Sequence, residues 1–194
     1  MLDLLKLAPS TKMNGEKADA LGMITPYNIS EDMVSLVKTH IENNKTKEIW
    51  EYTFIDIACK SGNFLRAVYV WLFNHNDMIN KFSDDTERAD WIATKQIYGI
   101  CFRETDMLIA NRNTFGKVRF DSNIKTINKW QDIIKSNNFK MIVDTLKETF
   151  GIMKFDAVIG NPPYNNDIYL DFVTLGHKLI KDSNTHTHTH TLIV

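Results

Sequence analysis

Residues 155–166 read Phe-Asp-Ala-Val-Ile-Gly-Asn-Pro-Pro-Tyr-Asn-Asn. An apolar run suited to a buried strand ends in Asn161, Pro162, Pro163 and Tyr164. Each proline removes an amide donor and fixes φ, so the strand must end there. The residue before a proline is driven to extended geometry, which stiffens the backbone and fixes where its carbonyls lie. Asn161 adds a neutral side-chain acceptor beside the Pro162 carbonyl, and Tyr164 adds a flat face. An exocyclic amine on a nucleobase has two N–H donors and a lone pair delocalised into the ring. Two acceptors so placed can hold both hydrogens, draw the nitrogen toward tetrahedral geometry and free the lone pair for attack. Tyr164 can stack on a base turned out of its helix. Such a site needs no covalent nucleophile, because positioning and matched hydrogen bonds do the catalysis. The plainer alternative is a rigid Pro-Pro turn with Tyr164 packed as core.

A second segment, "DIACKSGNFL" from Asp56 to Leu65, sits between a strand pattern and a helix pattern. A turn of small residues there lets a ligand approach the backbone and aims helix N-terminal amides at it. Ala58, Ser61 and Gly62 supply room, and Asp56 can accept hydrogen bonds from the loop or from an ammonium group. The segment is neither a dinucleotide GxGxxG nor a phosphate-binding loop. An ordinary strand–helix turn remains the alternative.

The elements that position these segments follow from periodicity. "TPYNISEDMVSLVKTHI" predicts a loop and then a helix, with Ser30 as N-cap and Met33, Leu36, Val37 and Ile41 at helical spacing. "YTFIDIA", "QIYGICF" and "FDAVIG" predict strands, and "NFLRAVYVWLFNH", "ETDMLIANRNTF" and "NDIYLDFVTLGHKLI" predict helices. Helical periodicity recurs in "INKWQDIIK" and "MIVDTLKETF", with room for a short strand near Lys117–Phe120. Alternating strands and helices imply an α/β fold with a mostly parallel sheet, whose ligands bind at the carboxyl ends of the strands.

A chain of 194 residues with 43% hydrophobic and 24% charged residues fits one globular domain. A net charge of −1 gives no global pull toward nucleic acid or membrane, although a local patch around "FGKVRF", Lys125 and Lys129 could touch phosphates. Cys59 and Cys101 make no disulfide framework, so a reduced, cytoplasmic setting is expected. "FLRAVYVWLF" contains Arg66 and is too short to span a bilayer. The alternation His186, His188, His190 could bind metal on one face of a strand, but is read as a solvated tail. The four tryptophans are scattered and read as packing. We expect a lead-in over residues 1–21, a partial catalytic core over 22–182, and a low-complexity tail over 183–194 that begins a further strand. That ending leads us to expect a C-terminally incomplete sheet with an unpaired edge open to self-association.

With these motifs in view, the chain resembles the S-adenosylmethionine-dependent amino-methyltransferases, chiefly the N6-adenine DNA enzymes. Their cofactor loop has the pattern Asp-Pro-x-Cys-Gly-Ser-Gly-x-Phe-Leu, and this chain matches at Asp56, Cys59, Ser61, Gly62, Phe64 and Leu65. It departs at Ile57 and Lys60. These enzymes often carry Thr-Pro upstream, as at Thr25 and Pro26, in the segment that closes over the methionine end of the cofactor. The resemblance implies a Rossmann-like methyltransferase fold and methyl transfer from S-adenosylmethionine to adenine in DNA, of the restriction–modification type. Asn161, Pro162, Pro163 and Tyr164 would be catalytic. Thr25, Pro26, Asp56, Ala58, Ser61, Gly62, Asn63, Phe64 and Glu104 would hold the cofactor. Glu104 enters as the acid nearest the position, occupied by Cys101, that usually contacts the ribose. The resemblance implies DNA as partner, with the target-recognition domain outside this chain. Protein-glutamine N5 and cytosine N4 transfer use related motifs, and a truncated remnant without activity is the alternative from outside the enzymes.

Overall fold

The computed structural model describes residues 24–163, 168–180 and 190–193. Five short strands, β1 (Phe54–Asp56), β2 (Ile97–Cys101), β3 (Asn123–Thr126), β4 (Ala157–Gly160) and β5 (His190–Ile193), form one sheet. Its order is β3-β2-β1-β4-β5, and every neighbouring pair is parallel. Strands β1, β2 and β4 are buried at every position, as a sheet covered on both faces requires.

Alternation along the strands sorts side chains into two cores. Phe54, Ile97, Ile124, Ala157 and Ile159 face one way and pack with Leu65, Val68 and Leu72 of α2 (Asn63–Phe73) and Ala110 of α5 (Glu104–Phe115). Helix α1 (Tyr27–Asn43) lies over α2 on this side and adds Val34, Val37 and Ile41. Ile55, Tyr98, Ile100 and Val158 face the other way. They meet α6 (Trp130–Lys135), α7 (Phe139–Phe150) and α8 (Ile168–Leu179) through Trp130, Ile134, Leu146, Phe172 and Leu175. The result is a doubly wound α/β sheet, consistent with the expected Rossmann-like methyltransferase fold. Two short helices, α3 (Asn76–Lys81) and α4 (Asp85–Trp91), run on through a π-helical turn (Ile92–Gln96) into β2.

At the amino end of the sheet, Asp156 ties β4 to β1. Its carboxylate accepts from the Thr53 amide and hydroxyl, each at 2.8 Å, and from Lys47 Nζ at 2.6 Å. This latch fixes the register that sets Phe54 beside Ala157 and Ile55 beside Val158.

The structure departs from the sequence expectations at three places. The third strand lies at Asn123–Thr126, not near Lys117–Phe120. Val118 and Phe120 carry an apolar alternation, but both are exposed, while Ile124 is buried between β2 and the α2–α5 layer. Helix α1 starts at Tyr27 with Pro26 in the N-cap position, and Ser30 lies within the helix, its hydroxyl donating back to the Pro26 carbonyl at 3.2 Å. A proline before the first helical residue already sets φ for helix entry, which moves the start ahead of Ser30. Leu36 is 60% exposed; the buried stripe is Ser30, Val34, Val37 and Ile41. Among the described residues no helix is long and apolar enough to cross a membrane.

Candidate functional site

The chain order reverses between β1 and β4: β2 and β3 lie on one side of β1, β4 and β5 on the other. In such sheets the cleft opens at this switch point, outside the carboxyl ends. Asp56 ends β1, and Gly160 ends β4 immediately before Asn161. The two strand ends touch. A Cβ at Gly160 would lie 2.5 Å from Asp56 Oδ1, and the glycine holds φ +146°, which side chains rarely adopt. Gly160 thus gives the Asp56 carboxylate its space.

Asp56 is 2% exposed and accepts the Ala58 amide at 2.9 Å, so it serves its own loop as the sequence suggests. Burial pushes its carboxyl up to about 7 from an ordinary 3.8, while the Ala58 amide and the Lys60 ammonium pull it down. Between those two values the folded chain holds a proton that the unfolded chain has lost. Stability therefore falls as pH rises through this window, by a few kcal/mol at most. Asp56→Asn should remove that slope. The melting-temperature gap between variant and wild type should widen in the variant's favour from roughly pH 5 to pH 8. An equal gap at both values would mean the carboxyl is not raised.

The two departures from the resembled loop pattern have local explanations. Lys60 sits at φ +39°, a left-handed geometry that glycine adopts freely and lysine at a cost of about 1 kcal/mol. Burial lowers the pKa of its ammonium, against the attraction of Asp56 and Asp106. Ile57 stands where the pattern has proline. Its carbonyl accepts the Trp130 indole N–H at 2.9 Å, a pin from α6 that fixes the loop without a proline ring. Trp130 is the largest fully buried side chain, and its hydrogen bond gives it a positioning role that composition alone does not reveal.

Gly62 is the left-handed N-cap of α2, at φ +76°. A Cβ there would meet Thr114 Oγ1 at 2.9 Å and the Ala110 carbonyl at 3.0 Å, so its bareness admits α5. Cys59 and Cys101 are buried free thiols with sulfurs 2.8 Å apart, so Cys101, at the end of β2, belongs to the core. Phe64, the second residue of α2, is packed in the core.

The Asn-Pro-Pro segment meets the start of the described chain. Asn161 Nδ2 donates to Thr25 Oγ1 at 2.9 Å, across 136 residues of sequence. Asn161 Oδ1 is buried and has no hydrogen-bond partner among the described residues. An unpaired buried acceptor is costly, about 1–3 kcal/mol, and invites a donor. Asn63, the first residue of α2, donates from Nδ2 to the Thr25 carbonyl at 2.7 Å. Thr25, Asp56, Asn63, Gly160 and Asn161 therefore form one cluster at the switch point. Pro162 and Pro163 are buried. Tyr164 lies outside the described residues, as do His186 and His188.

Glu104 stands apart, on the first turn of α5. It lines a groove of about 350 Å³ at the carboxyl ends of β2 and β3, with Phe102, Met107, Phe120, Lys125 and Thr126. Phe120 is 76% exposed in this groove. Arg119 is buried and paired with Asp90 and Asp121, both at 2.7 Å, which removes it from the residues of "FGKVRF" available to phosphate.

Sequence reasoning missed Trp130, Asn113 and Arg66 in this neighbourhood, because each acts through a long-range hydrogen bond. Asn113, on the α5 face toward Gly62, could have been found only by knowing that α5 packs on the loop.

Residues 95–171, less than half of the chain, match the family model described as Eco57I restriction-modification methylase. No curated protein matches the chain. The match spans β2 to the early part of α8 and contains Asn161, Pro162 and Pro163. It supports a restriction–modification methyltransferase family and, with it, DNA methyl transfer.

Proposed function

We propose that this chain carries the catalytic core of a DNA methyltransferase that transfers a methyl group from S-adenosylmethionine to the N6 amine of adenine. The observation that carries this reading is the Asn161 amide. Its nitrogen is bound to Thr25, and its oxygen is buried without a donor among the described residues. An amine hydrogen is the partner that oxygen lacks.

S-adenosylmethionine, when bound, supplies an electrophilic methyl group on a sulfonium. The chain's own residues do the rest. Asn161 Oδ1 and the Pro162 carbonyl accept the two amine hydrogens, so nitrogen electron density turns from the ring toward the methyl carbon. Tyr164 offers a face on which the flipped adenine stacks. Asp56, Ser61 and Asn63 hold the methionine end, with Thr25 and Pro26 closing over it. The groove containing Glu104, Phe102 and Phe120 accommodates the adenosine end, with Glu104 in place of the acid that Cys101 has displaced. Asp56 ionises more readily beside a sulfonium or ammonium, since a nearby cation favours the carboxylate.

Calorimetry with S-adenosylmethionine tests the cofactor half of this reading. Affinity near micromolar supports a competent site, and no heat at millimolar ligand defeats it in favour of an inert remnant. A methyl-acceptor assay on the complete protein tests the other half, comparing adenine in duplex DNA with cytosine and with a glutamine peptide. Transfer to the peptide alone would move the assignment to protein-glutamine methylation.

A further inference from the structure

Helix α5 reaches the Asn-Pro-Pro segment through a series of hydrogen bonds that passes by way of the Thr25 backbone and side chain. Arg66 Nη1 donates to Asn113 Oδ1 at 3.2 Å. Asn113 Nδ2 donates to Asn63 Oδ1 at 2.6 Å and to the Ser61 carbonyl at 2.8 Å. Asn63 Nδ2 donates to the Thr25 carbonyl at 2.7 Å, and the Thr25 hydroxyl accepts from Asn161 Nδ2 at 2.9 Å. The chain ends at the orphaned Asn161 Oδ1.

Its polarity is set from both ends. A guanidinium only donates, so Arg66 forces the oxygen of Asn113 toward itself and the Asn113 nitrogen toward Asn63. Backbone carbonyls only accept, so Ser61 and Thr25 fix the same sense for Asn113 and Asn63. Arg66 is itself held, 8% exposed, with its guanidinium 4.5 Å over the Tyr27 ring at the start of α1. Asn63 and Arg66 are three residues apart on one face of α2, which lets both meet the α5 residue.

We propose that Asn113 and Arg66 are positioning residues that set the placement of Thr25 and, through its hydroxyl, hold the Asn161 amide in place. The proposal rests on the reading of Asn161 as the group that receives the substrate amine. It adds a mechanical link: α5 and the α2 start hold Thr25 where its hydroxyl meets the Asn161 amide.

Asn113→Asp is the diagnostic change, because it keeps the shape and reverses one polarity. A carboxylate at 113 still accepts from Arg66 but no longer donates. Asn63 then turns its nitrogen toward residue 113, brings its oxygen against the Thr25 carbonyl, and loses that bond. In isotope-labelled chain, the side-chain amide protons of Asn161, assigned by their loss in Asn161→Asp, should exchange with solvent at least about fivefold faster in Asn113→Asp. Thr25→Val should produce the same acceleration directly. Arg66→Gln, whose amide can donate or accept, should move exchange in the same direction and serves if Asn113→Asp does not fold. In the complete enzyme Asn113→Asp should lower kcat more than it raises KM for DNA. Unchanged Asn161 exchange in the folded Asn113 and Arg66 variants would overturn the relay. Absent S-adenosylmethionine binding by the wild type would instead overturn the functional reading and leave the relay standing.

Discussion

Replacing Asn161 with alanine should reduce methyl transfer by the complete protein at least about 100-fold, the scale seen when one preorganised hydrogen-bonding group is removed from a polar transition state. Affinity for S-adenosylmethionine should stay within about threefold of wild type, because the loss falls on the reacting amine and not on the cofactor. Of the two Asn161 amide atoms, the oxygen is unpartnered among the described residues, and the nitrogen is already used by Thr25. Alanine removes both atoms, and the freed Thr25 hydroxyl can turn to a new partner, so the melting point should change little. Asn161→Asp is the informative companion. An aspartate keeps an acceptor toward the amine and takes a proton donor from the Thr25 hydroxyl, so it should retain a measurable fraction of the rate. Radiolabelled transfer to duplex DNA, read beside calorimetry, checks the pair. Turnover by the alanine variant at the wild-type rate would remove Asn161 from the chemistry.

Gly160→Ala should be the most damaging single change to the fold among the residues of the site. The new Cβ would stand 2.5 Å from Asp56 Oδ1 and 2.9 Å from its Cγ, both inside van der Waals contact, and would sit at a φ of +146°. The neighbour cannot step aside easily, since Asp56 is buried and bonded to the Ala58 amide. Overpacking and backbone strain together make a loss of ~3 kcal/mol reasonable. Because Gly160 and Asp56 end the two strands that flank the cleft, cofactor affinity should fall with stability. Urea unfolding measures the first effect. The double variant Gly160→Ala with Asp56→Ser tests the cause, for shortening the clashing side chain should restore part of the midpoint. A single variant with the wild-type midpoint would show that the two strand ends are not in contact.

Much of this molecule is written locally. The apolar run that becomes β4, the proline pair that stops it, and the helical periodicity of α2, α5 and α8 each depend on neighbours within a few residues, so a linear reading finds them. Alternation of strands and helices then implies a parallel sheet and its ligand-binding end. Local signals weaken where elements are short or at the edge. Helices α3 and α4 have only six and seven residues, too few for a clear period. β3, an outer strand, buries one of its four residues and takes its place from pairing with β2. The exposed Val118 and Phe120 mimic the strand that lies just beyond them.

The sequence by itself determined the kinds of elements, their order, and the residues of the two motifs, because those follow from spacing and from proline chemistry. Only the tertiary structure decided that Asp56 fills the space left by Gly160, that Gly62 is bare to admit α5, and that Asn113 and Thr25 reach toward Asn161. These contacts exist because β4 lies beside β1 and α5 packs on α2. Strand order and helix packing are settled by burying all the apolar faces at once, a condition on the whole chain that no short stretch of it contains.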